Sequence, residues 1–118
     1  MYLKSYKELI VWQKSIQLVT KIYKITNDFP KNELGISSQI QRASVSIPSN
    51  IAEGYSRKNL KEYIHFLHIS FGSAAELETQ LIISKNLYPK IDYKSAELLL
   101  EEIQKMLNVM IKKLENNY

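Results

Sequence analysis

Glu62 and His65 stand three residues apart, and His68 follows within one further turn. On a helix, side chains at i and i+3 share a face. A Glu-x-x-His pair on one helix of a four-helix bundle is half of a carboxylate di-iron site. The other half needs a second Glu-x-x-His on another helix, yet the chain has 2 histidines in all, His65 and His68. Two imidazoles from one helical turn lack a third ligand, so the expectation is solvated or interfacial histidines, with no metal and no other cofactor. The chain has no cysteine, which removes disulfides, thiol catalysis and thiolate metal sites. Neither a nucleophile motif, a phosphate loop nor a dinucleotide fingerprint occurs. The chemistry left is that of charge and hydrogen bonding.

The net charge is +4, unevenly spread. Residues 1–61 carry ten basic against four acidic side chains, whereas residues 62–118 carry six against eight. A basic half leans toward polyanionic partners. Lys7, Lys14 and Lys21 are spaced by seven and share about 40° of a helix surface, with Lys4 near one edge. With Arg57, Lys58 and Lys61 they form a candidate set for contacting phosphates of RNA or DNA. A solvated lysine-rich face accounts for the same residues. No aromatic base-stacking motif marks sequence-specific recognition.

A second constellation lies in "RASVSIPSNIAEGY", residues 42–55. Pro48 has no N–H to give the carbonyl of Ser44. A helix restarting at Pro48 would have Ile47 as its N-cap, one of the poorest caps. The expectation is therefore one kinked but continuous helix, with Ser44 or water absorbing the freed carbonyl. On such a helix Gln39, Arg42, Ser46, Asn50, Glu53 and Arg57 fall on one arc about 80° wide. Serine and asparagine are mediocre helix formers, so their use in mid-helix suggests specific hydrogen bonds. Glu78 falls within the apolar arc expected for the third helix, where a carboxylate must be paired. Arg42 or Asn50 is the nearest evident supplier. A structural polar network is the first reading of these residues, a partner-contacting patch the second, and catalysis the least supported.

The elements that must position these residues are helices. At 118 residues, 45% hydrophobic and 24% charged, the chain fits one soluble domain with one core. Three glycines and three prolines are few turns for a β-rich fold. Ser5-x-x-Glu8 is a capping box that opens the first helix. Leu9, Trp12, Ile16, Val19 and Tyr23 form one apolar stripe on it, and Val11, Leu18, Ile22 and Ile25 a second beside it. Two stripes exceed what a simple bundle helix needs, so one is expected to face a neighbouring subunit. Ile36, Ile40, Ala43, Ile47 and Ile51 give the second helix its inner face, and Gly54 lies where a C-terminal stop belongs.

Asn59-x-x-Glu62 caps the third helix, whose apolar face is Leu60, Tyr63, Leu67, Phe71, Ala74 and Leu81. Gly72-Ser73-Ala74-Ala75 is a patch that another helix can approach closely. Asp92 caps the fourth helix, which continues through Ala96, Leu99, Leu100, Ile103, Met106, Leu107, Met110 and Leu114. The expected spans are about 6–27, 33–56, 60–87 and 93–115. Short connections force antiparallel neighbours. The fold class is all-α, an up-down-up-down four-helix bundle spanning residues 1–118. No stretch reads as a signal peptide or a membrane span, and a cytoplasmic location follows by default.

At "LIVWQKSIQL", "FPKNELGI", "SSQIQRASVSIPSNIAEGYSR" and "YIHFLHISFGSAAELETQL", the chain resembles a known family. It is similar to the small four-helix-bundle proteins encoded within intervening sequences of bacterial 23S ribosomal RNA genes. That family also includes the accessory variability proteins of diversity-generating retroelements. The resemblance implies an all-α fold assembled into a ring-like homopentamer, without enzymatic activity. The retroelement members bind nucleic acid through a basic surface and associate with a reverse transcriptase. The leading expectation is thus a non-catalytic, homo-oligomeric bundle that binds RNA or DNA non-specifically or serves as a nucleoprotein adaptor. The alternative is a protein-binding scaffold with no nucleic-acid role.

Overall fold

The computed structural model of the chain describes residues 5–33 and 35–117. Four α-helices follow one another: α1 (Ile10–Asn27), α2 (Ile36–Tyr55), α3 (Leu60–Leu87) and α4 (Lys94–Asn116), with no strand among the described residues. Helix α1 packs on α2 and α4, and α3 packs on the same two. The helices therefore stand at the corners of a square, as an antiparallel bundle measuring 46 × 23 × 21 Å.

The Ser5–Glu8 capping box forms, but what it caps is a single 3-10 turn, Tyr6–Glu8. The Ser5 N–H donates to Glu8 at 3.3 Å, and the Ser5 hydroxyl accepts from the Lys7 N–H at 3.1 Å. Leu9 then turns extended (ψ 125°), and the α-helix begins only at Ile10, four residues later than expected. At α2 the carboxylate of Glu33 supplies the cap. It accepts from the backbone N–H groups of Gly35 (2.8 Å), Ile36 (2.6 Å) and Ser37 (3.1 Å). Asn59 caps α3 by accepting from the Glu62 N–H at 2.9 Å while its amide donates to the Glu62 carboxylate at 2.8 Å. Asp92 accepts from the Lys94 N–H at 3.0 Å before α4. The buried Tyr93 hydroxyl lies within reach of the carbonyls of Ser84 (3.1 Å) and Tyr88 (3.0 Å), tying the α3–α4 turn together.

Helix α2 runs unbroken through Pro48. The Ser44 hydroxyl donates to the Gln41 carbonyl at 2.8 Å rather than to the carbonyl that Pro48 leaves free. From α3, the buried Ser70 hydroxyl donates to the Ile47 carbonyl at 2.9 Å, so the proline-adjacent backbone is bonded across the helix pair.

Of the two α1 stripes, Val11, Leu18, Ile22 and Ile25 form the core face. They meet Ile40, Ile47 and Ile51 of α2, Leu67, Leu77 and Leu81 of α3, and Ile103 and Leu107 of α4. The other stripe lies on the flank beside α2. Its members Ile16 and Tyr23 remain 41% and 46% exposed.

Gly54 is not a helix stop: α2 continues past it to Tyr55. Its role is close approach, since a Cβ there would meet the Phe66 Cβ at 2.7 Å and Tyr63 at 3.2 Å. Gly72, by contrast, is exposed, with nothing within 4 Å of where its Cβ would lie among the described residues, so none of the four helices uses it for close approach.

Candidate functional site

The candidate cations do not converge on one patch. Lys4 lies outside the described residues. Lys14, half-buried on the α1–α4 edge, pairs with Glu102 of α4 at 3.2 Å. Lys21 stands two turns further along α1, about 10 Å away by helical rise, with no ion pair among the described residues. Arg57 is held by Glu53 at 2.9 Å and by Glu62 at 3.9 Å, and its guanidinium lies 4.9 Å from the centre of the Phe66 ring. A cation fixed by two carboxylates and an aromatic face is a clasp on the α2–α3 turn, with little charge left for a phosphate.

What remains is one end of the bundle. The α2–α3 turn, the start of the described chain and the C-terminal turn of α4 all lie there. The 3.0 Å contact between His68 of α3 and Glu115 of α4 fixes the last of these. Lys7, Lys58 and Lys61 are exposed at this end and form no ion pair among the described residues. Lys112 and Lys113, which the sequence reading passed over, are exposed as well. The His68–Glu115 contact sets these two lysines beside residues 70 and 71 of α3, about 14 Å along the bundle axis from Lys61. The other candidate metal-binding groups are engaged elsewhere. Glu62 is bonded to Asn59 and Arg57, and His65 is exposed and edge-on to Phe66 at 5.5 Å.

The polar arc of α2 divides in two. Its inner members form a compact set: the Ser46 hydroxyl meets the Ser73 hydroxyl of α3 at 2.7 Å, and the Asn50 amide donates to the Ser46 carbonyl (2.8 Å) and hydroxyl (2.9 Å). Gln39 and Arg42 are exposed and make no side-chain bond among the described residues. Glu53 belongs to the Arg57 clasp. Glu78 is not part of the network at all. It is exposed on the α4 side of α3, where the Gln104 amide approaches it at 3.4 Å. The physical reason is the period of the α3 seam. The buried residues Leu67, Ala74, Leu81 and Ser70, Leu77, Ser84 repeat by sevens. Such a seam drifts from a straight helix by about 20° per heptad, and the arc that includes Glu78 is displaced with it.

Two phenols are perturbed. Burial, with Tyr55 beside it, pushes the Tyr63 phenol up to about 12. Burial, then Tyr88 and Glu97, raises that of Tyr93. Neither stands beside the free lysines as an acid–base pair.

The model of the 23S rRNA-intervening sequence protein family matches residues 7–109. The chain belongs to this family. Every candidate cation except Lys4 falls within the matched span, whereas Lys112 and Lys113 fall beyond it. The fold is similar to a crystal structure from Bacteroides thetaiotaomicron, described as a protein of unknown function from the S23 ribosomal protein family. The two share 28% identity with a TM-score of 0.79, covering 87% of this chain and 99% of that one. No curated protein matches the chain. No helix of the described chain is long and apolar enough to cross a membrane.

Proposed function

We propose that this chain is a non-catalytic, self-associating helical module that binds RNA or DNA without sequence specificity. The observation that carries the reading is the group of cations at one end of the bundle. Lys7, Lys58 and Lys61 are exposed there, with Lys112 and Lys113 two to three turns along the bundle on α4, and none of the five makes an ion pair among the described residues. Such ammonium groups attract any phosphate backbone and discriminate poorly between bases. Self-association gathers several such ends into one larger basic surface, and the half-exposed α1 stripe is the apolar face available for it. A pentameric ring is the assembly that the family resemblance implies. The test is an electrophoretic mobility shift with a short RNA and a short duplex DNA at low and moderate salt. The expected result is a shift at low salt that fades steeply as salt rises; no shift at micromolar protein in low salt sinks the reading.

A protein-binding scaffold without a nucleic-acid role is the second reading. It is favoured by the internal neutralisation of Lys14 and Arg57. Partner recovery from a lysate that survives nuclease treatment supports it, and loss of the partner with nuclease counts against it.

A further inference from the structure

Arg42 and Glu78 stand on opposite flanks of the bundle, each beside an open groove. Arg42 borders the α1–α2 groove together with Tyr23 and Val45, and the groove continues along Ile16 and Val19. Glu78 borders the α3–α4 groove together with Ile82, Glu97 and Glu101, and beside Phe71. We propose that a second copy of this chain covers the α1–α2 groove with its α3–α4 groove, so that Arg42 of one copy pairs with Glu78 of the next. The proposal rests on the self-association reading above and specifies its two surfaces.

Charge selects this occupant. Lys24 and Arg42 are the cations beside this groove, and α1 carries no acid. The α3–α4 groove is lined by three carboxylates. Glu97 and Glu101 have lysine neighbours, Lys85 at 3.0 Å and Lys105 at 3.1 Å, but among the described residues Glu78 has only the Gln104 amide at 3.4 Å. Packing two α1–α2 grooves against each other would set Arg42 and Lys24 against their own copies. Opposite charges across an interface select register, and like charges juxtaposed there cost several kcal/mol.

Height agrees with charge. At 1.5 Å per residue, Arg42 lies about 9 Å from the α1–α2 loop end of the bundle, Glu101 about 10 Å and Glu78 about 14 Å. Copies placed side by side with parallel long axes therefore bring these groups to within about one helical turn of the same level. Apolar surface is present on both sides, with Tyr23 46% exposed on one and Ile82 55% on the other. Because the two surfaces differ, the contact is heterologous, and it closes into a ring when the rotation between copies allows.

The experiment is light scattering on the full chain and on Arg42→Glu, Glu78→Arg and the double variant, with helicity checked by circular dichroism. Both side chains are exposed, so all four proteins should fold. The native chain should give a mass several times 13.8 kDa. Each single reversal should weaken assembly by about tenfold or more, and the double variant should recover it. Mixing the two single variants should restore assembly in part, because contacts between unlike variants join opposite charges, whereas a five-membered ring cannot alternate them throughout and keeps one like-charge contact. A monomeric native chain overturns self-association itself. An oligomer unmoved by either single variant, or a folded double variant no better than the singles, overturns this interface alone. Loss on Arg42→Glu without loss on Glu78→Arg overturns it in favour of an α1–α2 contact between like faces.

Discussion

Gly54 and Phe66 set the spacing of α2 and α3: a Cβ on the glycine would stand 2.7 Å from that of the phenylalanine. The obstructing atom is next to the backbone, so a side-chain rotation cannot clear it. Gly54→Ala gains up to about 1 kcal/mol of helix propensity but forces the helices apart, which costs about 1–3 kcal/mol in a packed interface. The expected net effect is destabilisation, read as a lower urea midpoint. Gly72→Ala meets nothing within 4 Å among the described residues and should stabilise by up to about 1 kcal/mol. If Gly54→Ala is as stable as the native chain, the close approach does not constrain the pair.

Ser46, Asn50 and Ser73 share one hydrogen-bonded unit across the same helix pair. Removing the Ser46 hydroxyl should cost about 1 kcal/mol, as should removing that of Ser73. Because both changes break the same bond, the double variant should cost clearly less than the sum. Urea denaturation of the four proteins measures the coupling. Strict additivity would mean that the two hydroxyls contribute independently.

Glu33 is a cap that works as a carboxylate. Burial alone would raise its pKa; the donations from the Ser37 hydroxyl and from the N–H groups of Gly35, Ser37 and Ile36 together outweigh that and hold it below its ordinary value. A lowered folded-state value means stability that is present above the unfolded value of about 4.3 and lost as pH falls through the folded one. Glu33→Ala should cost about 1 kcal/mol at neutral pH, the usual cost of losing a cap. The gap between the two proteins should narrow as pH falls below about 4. A gap that is constant from pH 7 to pH 3 would show that the charge is not what caps α2.

Tyr63 gives the opposite end of the pH scale. Its phenol is pushed up to about 12 by burial and by Tyr55, whose ring lies 5.8 Å away edge-on. A raised folded-state value means stability fully present below the unfolded value of about 10 and lost as pH rises toward the folded one. The native chain should lose stability from about pH 10 upward, and Tyr63→Phe should lose less of it. Thermal melts between pH 8 and pH 11 check this; parallel losses in the two proteins would assign the alkaline lability to other groups, Tyr93 first among them.

The continuity of α2 was legible in sequence because Ile47 is so poor a cap that a break at Pro48 had no way to end cleanly. The core faces of α2 and α4 were legible for a similar reason: branched apolar residues recur on one side, whereas α1 carries two such stripes and spacing alone did not say which faces the core. Three further things were not. The Ser5–Glu8 box is the same string whether it caps an α-helix or a 3-10 turn, and Leu9 decides the matter by turning extended. Glu78 reads as buried on a straight helix, and only the seven-residue seam of α3 turns it outward. The fate of Arg57 depended on Phe66 and Glu62 of the next helix, which no spacing within α2 contains. Of the candidate cations, those in mid-helix met acids across a groove or lay apart from the rest. Apart from Arg57, those at the end of the bundle form no ion pair among the described residues, because no described element packs over them.

That division gives the sharpest test of nucleic-acid binding. If Lys7, Lys58, Lys61, Lys112 and Lys113 each neutralise a phosphate, log K against log salt should fall with a slope of about −3 to −5 per subunit. The double variant Lys58→Gln, Lys61→Gln should flatten that slope by about 1 to 2, with weaker binding to all sequences alike. Lys14→Gln, which removes a cation already paired with Glu102, should leave the slope unchanged. Arg57→Gln should lower stability by loosening the α2–α3 turn, again without changing the slope. Fluorescence anisotropy with a labelled oligonucleotide at several salt concentrations reads all four proteins. A slope that responds to Lys14 and Arg57 but not to Lys58 and Lys61 would move the binding surface from the end of the bundle to its side.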